Sequence, residues 1–422
     1  MVSASLWEKV HAISMFVIGA LFLIYEMMLQ VSPSIMMNDL MGSYKIDAAT
    51  LSCVISAYFY AYAIMQVPAG LLFDYFGPRI LICSSILFCI IGELLFSSTH
   101  SFYVAFLGRL LLGFGSAFAF VGLLVISAHW FRPKYFAILT GMTQFCGIFG
   151  AMVGVAPLAK LLEYFVWRKV LYGASLIGIP LAILAALILR NRPKKYHAAI
   201  MAPEKKFWLH LQQVISHRQV WFIGLYAFTS WGAAILFAAV WGVSYLSERF
   251  SISIIQASVA PVLVFFGAGS LGPIIGYCSN YFGRRLPFLW IGSIMGFFAS
   301  LFLLFLHWLS LNVVFGLLLL MGVGTGMHAL TFVLVRENIK PSIVATALGF
   351  NNMGVVLGGA VLPPIMGFIL RINWDGLIKN GVPVYSSYVY ERAFLLIPIL
   401  YFIGFILSFF FIRETYCESA RK

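Results

Sequence analysis

The sequence predicts an all-α integral membrane protein with twelve transmembrane helices in two pseudo-symmetric six-helix bundles. Composition is the first observation: of 422 residues, 62% are hydrophobic and 10% are charged, whereas a soluble domain has roughly 25% charged residues. The second is a series of twelve apolar runs, each long enough for the roughly 20 residues that cross a hydrocarbon core. The third is a charged motif that occurs twice, 206 residues apart, close to half the chain length. These observations together predict a duplicated membrane protein.

The apolar runs place the elements along the chain. We predict spans at 11–31, 50–73, 79–98, 102–127, 135–160, 169–189, 219–246, 255–277, 286–307, 311–335, 342–370 and 392–412. The domains that follow are an N-terminal six-helix bundle at 1–189, a basic cytoplasmic linker at 190–218, a C-terminal six-helix bundle at 219–412 and a cytoplasmic tail at 413–422. We expect the polar and aromatic segment 371–391 to form an ordered external loop.

Basic residues are divided unevenly between the two faces of this topology. With the N-terminus inside, 18 Lys and Arg residues lie on the inner side, eight lie on the outer side, and Arg109 lies within a span. This asymmetry is the positive-inside signature, so both termini are expected in the cytoplasm. It explains the formal net charge of +13 without a nucleic-acid partner. The absence of an N-x-[ST] sequon favours a bacterial inner membrane over a lysosomal one.

Other function classes lack their motifs in this sequence. The six cysteines have neither metal-site nor disulfide spacing. There is no G-x-x-x-x-G-K-[ST] loop to bind a nucleotide, and no nucleophile, base and acid set to support catalysis. We therefore expect a monomer surrounded by the lipid bilayer, with no enzyme activity, no cofactor and no metal.

The duplicated motif lies between two spans in each half, at 70–79 and 276–285. Charges so close to the membrane are expensive unless a function needs them. A tight turn with no further role is the alternative. The matching positions are Gly70 and Gly276, Asp74 and Asn280, Phe76 and Phe282, Gly77 and Gly283, and Arg79 and Arg285.

This motif resembles the G-x-L-x-D-r-x-G-r signature of the major facilitator superfamily (MFS). That family has the signature between helices two and three and a repeat between helices eight and nine. Twelve spans, a 6+6 duplication and a basic central loop extend the resemblance over almost the whole chain. The resemblance implies the MFS fold and secondary transport by alternating access around a central cavity.

The resemblance also implies a cytoplasmic gate that locks the outward-facing state. Asp74 with Arg79 would form it, since a carboxylate near a helix N-terminus gains roughly 0.3–1 kcal/mol. Tyr75 replaces the usual basic residue and Asn280 replaces the second acid, so the second latch is expected to be weaker. The residues predicted for the gate are Gly70, Asp74, Gly77, Arg79, Asn280, Gly283 and Arg285.

Two charges lie deep inside predicted spans. Arg109 opens the segment Arg109–Gly115, which is similar to the family's R-x-x-x-G-x-G pattern, and such an arginine needs a partner or a water-filled cavity. The resemblance implies a part in substrate or proton coupling, and bonding to backbone carbonyls is the alternative. Glu26 shares a helix face with Gln30 and Ser34, at i, i+4 and i+8. We predict that Glu26 binds and releases a proton, the alternative being a hydrated position near the outer interface.

Polar and aromatic side chains within the spans are candidates for the cavity. Tyr58, Tyr62 and Gln66 form one stripe on the second span, for which helix packing is the alternative. His328 is a third candidate for substrate or proton coupling, because histidine titrates near neutral pH; a simply hydrogen-bonded histidine is its alternative. We predict that Glu93 is a packing or interfacial residue. The predicted cavity lining consists of Tyr58, Tyr62, Gln144, Trp241, Asn351 and Asn352.

Three short segments, 31–36, 130–133 and 166–168, give a finer resemblance. They are similar to bacterial carriers related to the lysosomal dipeptide-transporter branch and also to anion-type symporters, and both possibilities stay open. We predict proton-coupled uptake of a small polar solute: a dipeptide, an amino acid or an organic anion. The alternatives are efflux of a drug, metabolite or siderophore, and a receptor or assembly subunit that transports nothing.

Overall fold

The computed structural model describes residues 6–131, 136–190, 211–339, 343–379 and 382–416. Within these ranges, twelve helical segments are long and apolar enough to cross a membrane, which confirms the predicted all-α fold. Spans 1 to 12 are Val10–Ile35, Ala48–Gln66, Phe76–Ser98, Phe102–Ser127, Met142–Leu161, Trp167–Ile188, Arg218–Phe250, Ile254–Tyr281, Leu286–Phe305, Leu311–Asn338, Thr346–Ile372 and Ser387–Phe411.

The even number of spans puts the start of span 1 and the end of span 12 on one face of the protein. We call this the terminal face, where span 1 begins at Val10, and we call the other the distal face, where span 2 begins at Ala48. The predicted linker at 190–218 lies mostly outside the described residues, and helix reappears at 211–215. Of the predicted tail, residues 417–422 also lie outside the described ranges.

The N-terminal half is helical almost throughout. Span 5 is interrupted after Val153, and Pro157 lies in the first turn of the short helix that completes it. The helices of this half are Leu6–Val31, the 3-10 turn Ser32–Ile35, Met37–Tyr44, Ala48–Ser98, Phe102–Trp130, Phe136–Val153, Ala156–Leu161 and Trp167–Ile188.

The C-terminal half has more breaks in its helices. Span 7 contains a π-helical segment, Ile235–Trp241, and such segments often occur at functional sites. The helices are Arg218–Ala234, Ile235–Trp241, Gly242–Phe250, Ile254–Ala257, Val259–Ser270, Gly272–Tyr281, Leu286–Phe305, Leu311–Gly326, the 3-10 turn Met327–Ala329, Leu330–Asn338, Val344–Ile372, Ser387–Phe394, Leu396–Ile406 and the π-helical Leu407–Phe411.

The predicted external loop between spans 11 and 12 contains two short strands. Strands β1 (Ile378–Lys379) and β2 (Val382–Pro383) pair antiparallel, with Ile378 opposite Pro383. The Trp374 indole N–H lies 3.2 Å from the Leu377 carbonyl and 3.1 Å from that of Val384. Through these contacts Trp374 connects the residue before β1 to the residue after β2.

The duplicated motif produces the same backbone feature in both halves. The run Ala48–Ser98 contains spans 2 and 3 and departs from helix at Gly77, where φ is 75° and ψ is 165°. Gly283, at the matching position, has a φ of 63°. Positive φ favours glycine because a side chain would clash with the backbone. The motif thus places a positive-φ glycine at the start of span 3 and another between spans 8 and 9.

The two bundles contact each other through spans 1 and 7, 2 and 11, and 5 and 8. At the distal face, Arg371 Nε lies 3.1 Å from Asp47 Oδ2, and the Ala48 N–H donates to the Tyr385 hydroxyl at 3.3 Å. Deeper in the same seam, the Ser56 hydroxyl donates to the Gly359 carbonyl at 3.1 Å. Spans 2 and 11 therefore close the distal face in this conformation.

Candidate functional site

A cavity of about 100 Å³ lies between the two bundles, lined by spans 1, 2, 4, 5, 7, 8, 10 and 11. Its volume is below the roughly 300–1,000 Å³ of a typical ligand pocket, so the conformation is contracted around it. In the described part of the chain, no Asp, Glu, Lys or Arg lines it. The side chains that bring polar atoms to its wall are Gln30, Tyr58, Tyr62, Gln144, Trp231, His328 and Asn352.

Glu26 lies directly behind this wall. The residue is fully buried in span 1, and the Tyr58 hydroxyl donates to its Oε2 at 2.9 Å. The same hydroxyl lies 3.3 Å from Gln30 Oε1. Glu26 Oε1 has no hydrogen-bond partner among the described residues. Tyr58 and Gln30 therefore connect a buried carboxyl group to the cavity.

Arg109 lies on span 4 beside the same group and is also fully buried. Its two terminal nitrogens donate to the carbonyls of Leu29 and Gln30, at 3.3 and 3.2 Å. The guanidinium lies 5.3 Å from the ring centre of Tyr58, close enough for a cation–π interaction. Within the described ranges Arg109 makes no ion pair with Glu26. The backbone-carbonyl partners anticipated as the alternative are thus present, next to the cavity wall.

The glycines of the R-x-x-x-G-x-G segment explain this packing. A β-carbon built at Gly113 would lie 1.9 Å from the Tyr58 carbonyl oxygen, and one at Gly115 would lie 2.5 Å from that of Ser85. Neither approach tolerates a side chain, because the contacting atoms are backbone. The segment therefore holds span 4 against spans 2 and 3, with Arg109 one helical turn from the Tyr58 contact.

The remaining predicted lining residues separate into two groups. Tyr62, Gln144 and Asn352 lie on the cavity wall, and the Asn352 amide donates to Gln66 Oε1 across the two bundles at 2.5 Å. His328 also lines the cavity. Its Nδ1 lies 2.9 Å from the Thr325 carbonyl, and its ring lies 4.8 Å from that of Trp231.

Trp241 and Asn351 do not line the cavity, contrary to expectation. Trp241 is fully buried at the distal end of span 7, where its ring packs against Tyr385 and Tyr390. Asn351 is fully buried and donates to the Thr331 hydroxyl at 3.0 Å. A polar side chain must face protein rather than lipid, but the pattern does not distinguish a cavity from a helix interface.

The predicted gate positions lie at the terminal face. Arg79 donates to the Ala186 carbonyl at 2.9 Å, which links the start of span 3 to span 6. Arg285 is 4% exposed and pairs with Glu337 at 2.9 Å. Asn280 is exposed. The Asp74 side chain and the surroundings of Gly70 lie outside the described part of the structure. Gly77 and Gly283 are the positive-φ glycines already described.

Sequence reasoning missed part of the wall and one buried charge. Phe120, Phe265 and Phe332 line the cavity, but apolar residues give no signal in a chain that is apolar throughout. Glu93 is fully buried, in agreement with the packing option, but the prediction gave it no part in the site. A carboxylate inside an apolar span, here five residues before its end, is itself a signal of function. Within the described ranges, no group of three or more His, Cys, Asp or Glu could hold a metal ion.

Comparison with known proteins gives relatives along most of the chain. It is 25% identical over 392 residues, 83% of this chain and 85% of the relative, to the probable galactarate/D-glucarate transporter GudP of Escherichia coli (strain K12). It is 24% identical over 345 residues to the probable nitrate/nitrite antiporter NarK1 of Thermus thermophilus, covering 75% of each chain. The first of these relatives agrees with the finer resemblance to anion-type symporters.

Solved structures share the fold. A bacterial homologue of the human lysosomal transporter Spinster, in an inward-facing and occupied conformation, aligns with a TM-score of 0.75 at 16% identity, over 96% of this chain and 97% of that one. A D-xylose–proton symporter aligns with a TM-score of 0.74 at 11% identity, over 97% and 100% of the two chains. The family model described as Major Facilitator Superfamily matches residues 12–253 and 236–422. The chain therefore belongs to the Major Facilitator Superfamily and is a multi-pass membrane transporter rather than an enzyme.

Proposed function

We propose that this protein takes up a small organic anion together with a proton, by alternating access. The observation that supports this most directly is the buried Glu26 carboxyl group, hydrogen-bonded by Tyr58 on the wall of the cavity between the bundles. Relatives named for galactarate and glucarate, which are organic anions, favour that class over dipeptides and amino acids.

The role of Glu26 follows from the cost of burying charge. An ionised carboxylate away from water is expensive unless it is paired or hydrogen-bonded. Tyr58 donates to one oxygen of Glu26, and the other oxygen has no partner among the described residues. The Ser116 hydroxyl also lies close to the carboxyl group. A proton relieves the burial that these contacts leave uncompensated. A proton on Glu26 also offsets the charge of an anion in the adjoining cavity. Anion binding is therefore most favourable when Glu26 carries a proton, which couples the two.

The cavity chemistry suits an anion that binds mainly through hydrogen bonds. Gln30, Gln144 and Asn352 bring amide groups to the wall, and His328 and Trp231 bring ring nitrogens. Arg109 lies beside Tyr58, one layer behind the wall, and supplies positive potential without lining the cavity. We assign Glu26, Arg109 and His328 to substrate or proton coupling.

The gates and the orientation complete the proposal. We place the terminal face in the cytoplasm of a bacterial cell, as the distribution of Lys and Arg predicts. The distal face, closed by Asp47 with Arg371 and Ser56 with Gly359, is then the external gate. The duplicated motif, with Asp74, Arg79 and Arg285, belongs to the cytoplasmic gate.

Uptake into liposomes tests this function. The purified protein is reconstituted, a proton gradient directed inwards is imposed, and accumulation of labelled aldarates, monocarboxylates, amino acids and dipeptides is measured. We expect gradient-dependent accumulation of at least one organic anion, and loss of the gradient dependence in Glu26→Gln. Glu163→Gln, at an exposed position of the same bundle, is the matched control.

Two results would contradict the proposal. Accumulation of only dipeptides or amino acids would show that these, and not organic anions, are the substrate class. Gradient-dependent loss of a preloaded compound, with no uptake of any member of the panel, would favour export.

A further inference from the structure

Span 3 contains a third buried charge, which the proposed function has not used. Glu93 is fully buried, and neither of its carboxylate oxygens has a hydrogen-bond partner among the described residues. An ionised carboxylate in such a position is costly unless a positive charge compensates it.

Close packing of spans 3 and 4 brings a positive charge to Glu93. A β-carbon at Gly92 would lie 2.6 Å from the Gly108 carbonyl oxygen, and one at Gly108 would lie 2.7 Å from that of Gly92. The two helices touch backbone to backbone immediately before Glu93 and Arg109 in the sequence. Arg109 lies close enough for its charge to act on Glu93, without an ion pair between the two in the described ranges. Its Nε–H has no acceptor among the described residues.

The other titratable groups around Glu93 are ordinarily uncharged at neutral pH. Electrostatic contacts reach it from Tyr25 on span 1, from Tyr44 on the helix after span 1 and from Cys89 on span 3 itself. Arg168, at the start of span 6, lies 5.7 Å from the Tyr44 ring and donates to carbonyls at the end of span 3. Arg109 is therefore the cation that acts directly on Glu93.

The fully buried charges of the described N-terminal bundle do not sum to zero unless one of the carboxyl groups carries a proton. Glu26, Glu93 and Arg109 are its fully buried charged side chains. With all three ionised, one negative charge is left over, which is unfavourable where water is excluded. One proton makes the set neutral. Glu26 is next to the cavity through Tyr58, whereas Glu93 is under the influence of the Arg109 charge.

We propose that Glu93 is the resident counter-ion of Arg109, and that its charge is what requires Glu26 to carry one proton per transport cycle. Glu93 is thus a positioning residue, acting through Arg109 rather than by contact with the substrate. The transport part of this inference rests on the proposed function. The pairing of Glu93 with Arg109 does not.

A double-mutant cycle tests the pairing. Thermal unfolding in detergent is measured for wild type, Glu93→Gln, Arg109→Gln and the double variant. We expect Arg109→Gln to lower the unfolding temperature most, because it leaves two buried carboxyl groups without a cation, and we expect Glu93→Gln to recover part of that loss. As the control, Glu163→Gln replaces Glu93→Gln in the double variant. We expect this control to recover none of the unfolding temperature that Arg109→Gln loses. Additive effects of the two substitutions would overturn the pairing.

The pH profile of uptake tests the consequence. In wild type, one-proton coupling gives roughly a tenfold fall in uptake per unit rise of external pH above the coupling range. In Glu93→Gln, the charges of Arg109 and ionised Glu26 already cancel, so Glu26 needs no proton. The ratio of uptake at about pH 6 to uptake at about pH 8 should therefore fall towards one. Glu93→Asp keeps the charge and keeps the wild-type ratio. A wild-type ratio in Glu93→Gln would overturn the inference.

The two measurements separate two kinds of failure. If wild type moves no proton with any anion, the proposed function fails, and the unfolding cycle still decides whether Glu93 pairs with Arg109. If wild type is proton-coupled but the cycle is additive, the assignment of Glu93 alone is wrong.

Discussion

At the scale of single residues, the hydrogen bond from Tyr58 to Glu26 is the link between the cavity and the buried charge. Removing only the hydroxyl in Tyr58→Phe takes away the donor to Glu26 Oε2, and an unsatisfied buried polar group costs about 1–3 kcal/mol. We expect uptake at limiting anion concentration to fall roughly tenfold, measured as initial rate in liposomes. Tyr103→Phe, at an 81% exposed ring, should behave as wild type. Equal rates in Tyr58→Phe and the control would remove Tyr58 from the mechanism.

Gly113 makes the second prediction at this scale. In Gly113→Ala the new methyl group would lie 1.9 Å from the Tyr58 carbonyl oxygen, a contact that only a shift of whole helices relieves. We expect overpacking of about 1–3 kcal/mol, seen as a lower unfolding temperature in detergent. Gly173→Ala, where nothing lies within 4 Å of the added carbon, is the control. An unchanged unfolding temperature in Gly113→Ala would show that spans 2 and 4 are not this close.

The sequence identified which residues are unusual but not where they point. Glu26 and Arg109 stand out because charges inside apolar spans are rare, and the structure places both beside the cavity wall. Glu93 has the same signal, yet the helix that opposes it depends on how spans 3 and 4 pack at Gly92 and Gly108. One sequence does not specify that packing.

At the scale of elements, the C-terminal copy of the duplicated motif is firmly anchored. Glu414 accepts from the backbone N–H of Arg285 and Leu286, at 2.9 Å each, at the N-terminus of span 9. Glu337 accepts from the Arg285 guanidinium at 2.9 Å, and the Thr415 hydroxyl donates to Glu337. Asn280 stands where the first copy of the motif has an acid. Arg285 instead receives acidic partners from span 10, which supplies Glu337, and from the segment after span 12, which supplies Glu414. The prediction that the C-terminal copy forms a weaker latch considered only the residues of the motif, and not the acids from these two other segments.

Breaking this cluster gives a third prediction. Glu337→Gln leaves Arg285, at 4% exposure, without its charge partner. Removal of one member of a buried pair costs about 3–5 kcal/mol, so we expect a clear fall in the unfolding temperature. Adding Arg285→Gln should recover part of it. Glu248→Gln, at an exposed site of the same half, is the control. If Glu337→Gln unfolds at the same temperature as the control variant, the pair of Arg285 and Glu337 contributes nothing to stability.

Hydropathy predicts where the spans lie better than it predicts where their helices are interrupted. All twelve spans lie where apolar runs predict them. The interruption after Val153 and the π-helical segment Ile235–Trp241 do not follow from the pattern. At Gly154 an added β-carbon would lie 2.5 Å from the Met28 carbonyl oxygen, so this interruption is at a contact with span 1. Tertiary contacts of this kind are invisible in local sequence.

At the scale of the whole molecule, the distal face is closed and the cavity is contracted between the bundles. Transport by alternating access requires this closure to open and reform. A disulfide across spans 2 and 11 tests that requirement. A β-carbon at Gly367 would lie 2.8 Å from that of Ser52 and 2.7 Å from the Ala48 carbonyl oxygen. This is closer than the 3.5–4.5 Å between the β-carbons of a disulfide, so the bond forms once the two helices move slightly apart.

We expect oxidised Ser52→Cys/Gly367→Cys, in a background where Cys53 is alanine, to lose uptake and to regain it on reduction. Each single cysteine variant is measured beside it, with and without oxidant. Full uptake by the cross-linked protein would mean that spans 2 and 11 stay together throughout the cycle.

The central claim is that Glu26 carries the proton that accompanies the anion. The most direct measurement records internal pH and anion uptake together in liposomes with equal starting pH on both sides. We expect wild type to acidify the interior as the anion enters, in fixed proportion to uptake, and Glu26→Gln to give no anion-dependent acidification. Acidification by Glu26→Gln in the wild-type proportion, or anion uptake by wild type with no change in internal pH, would contradict the account.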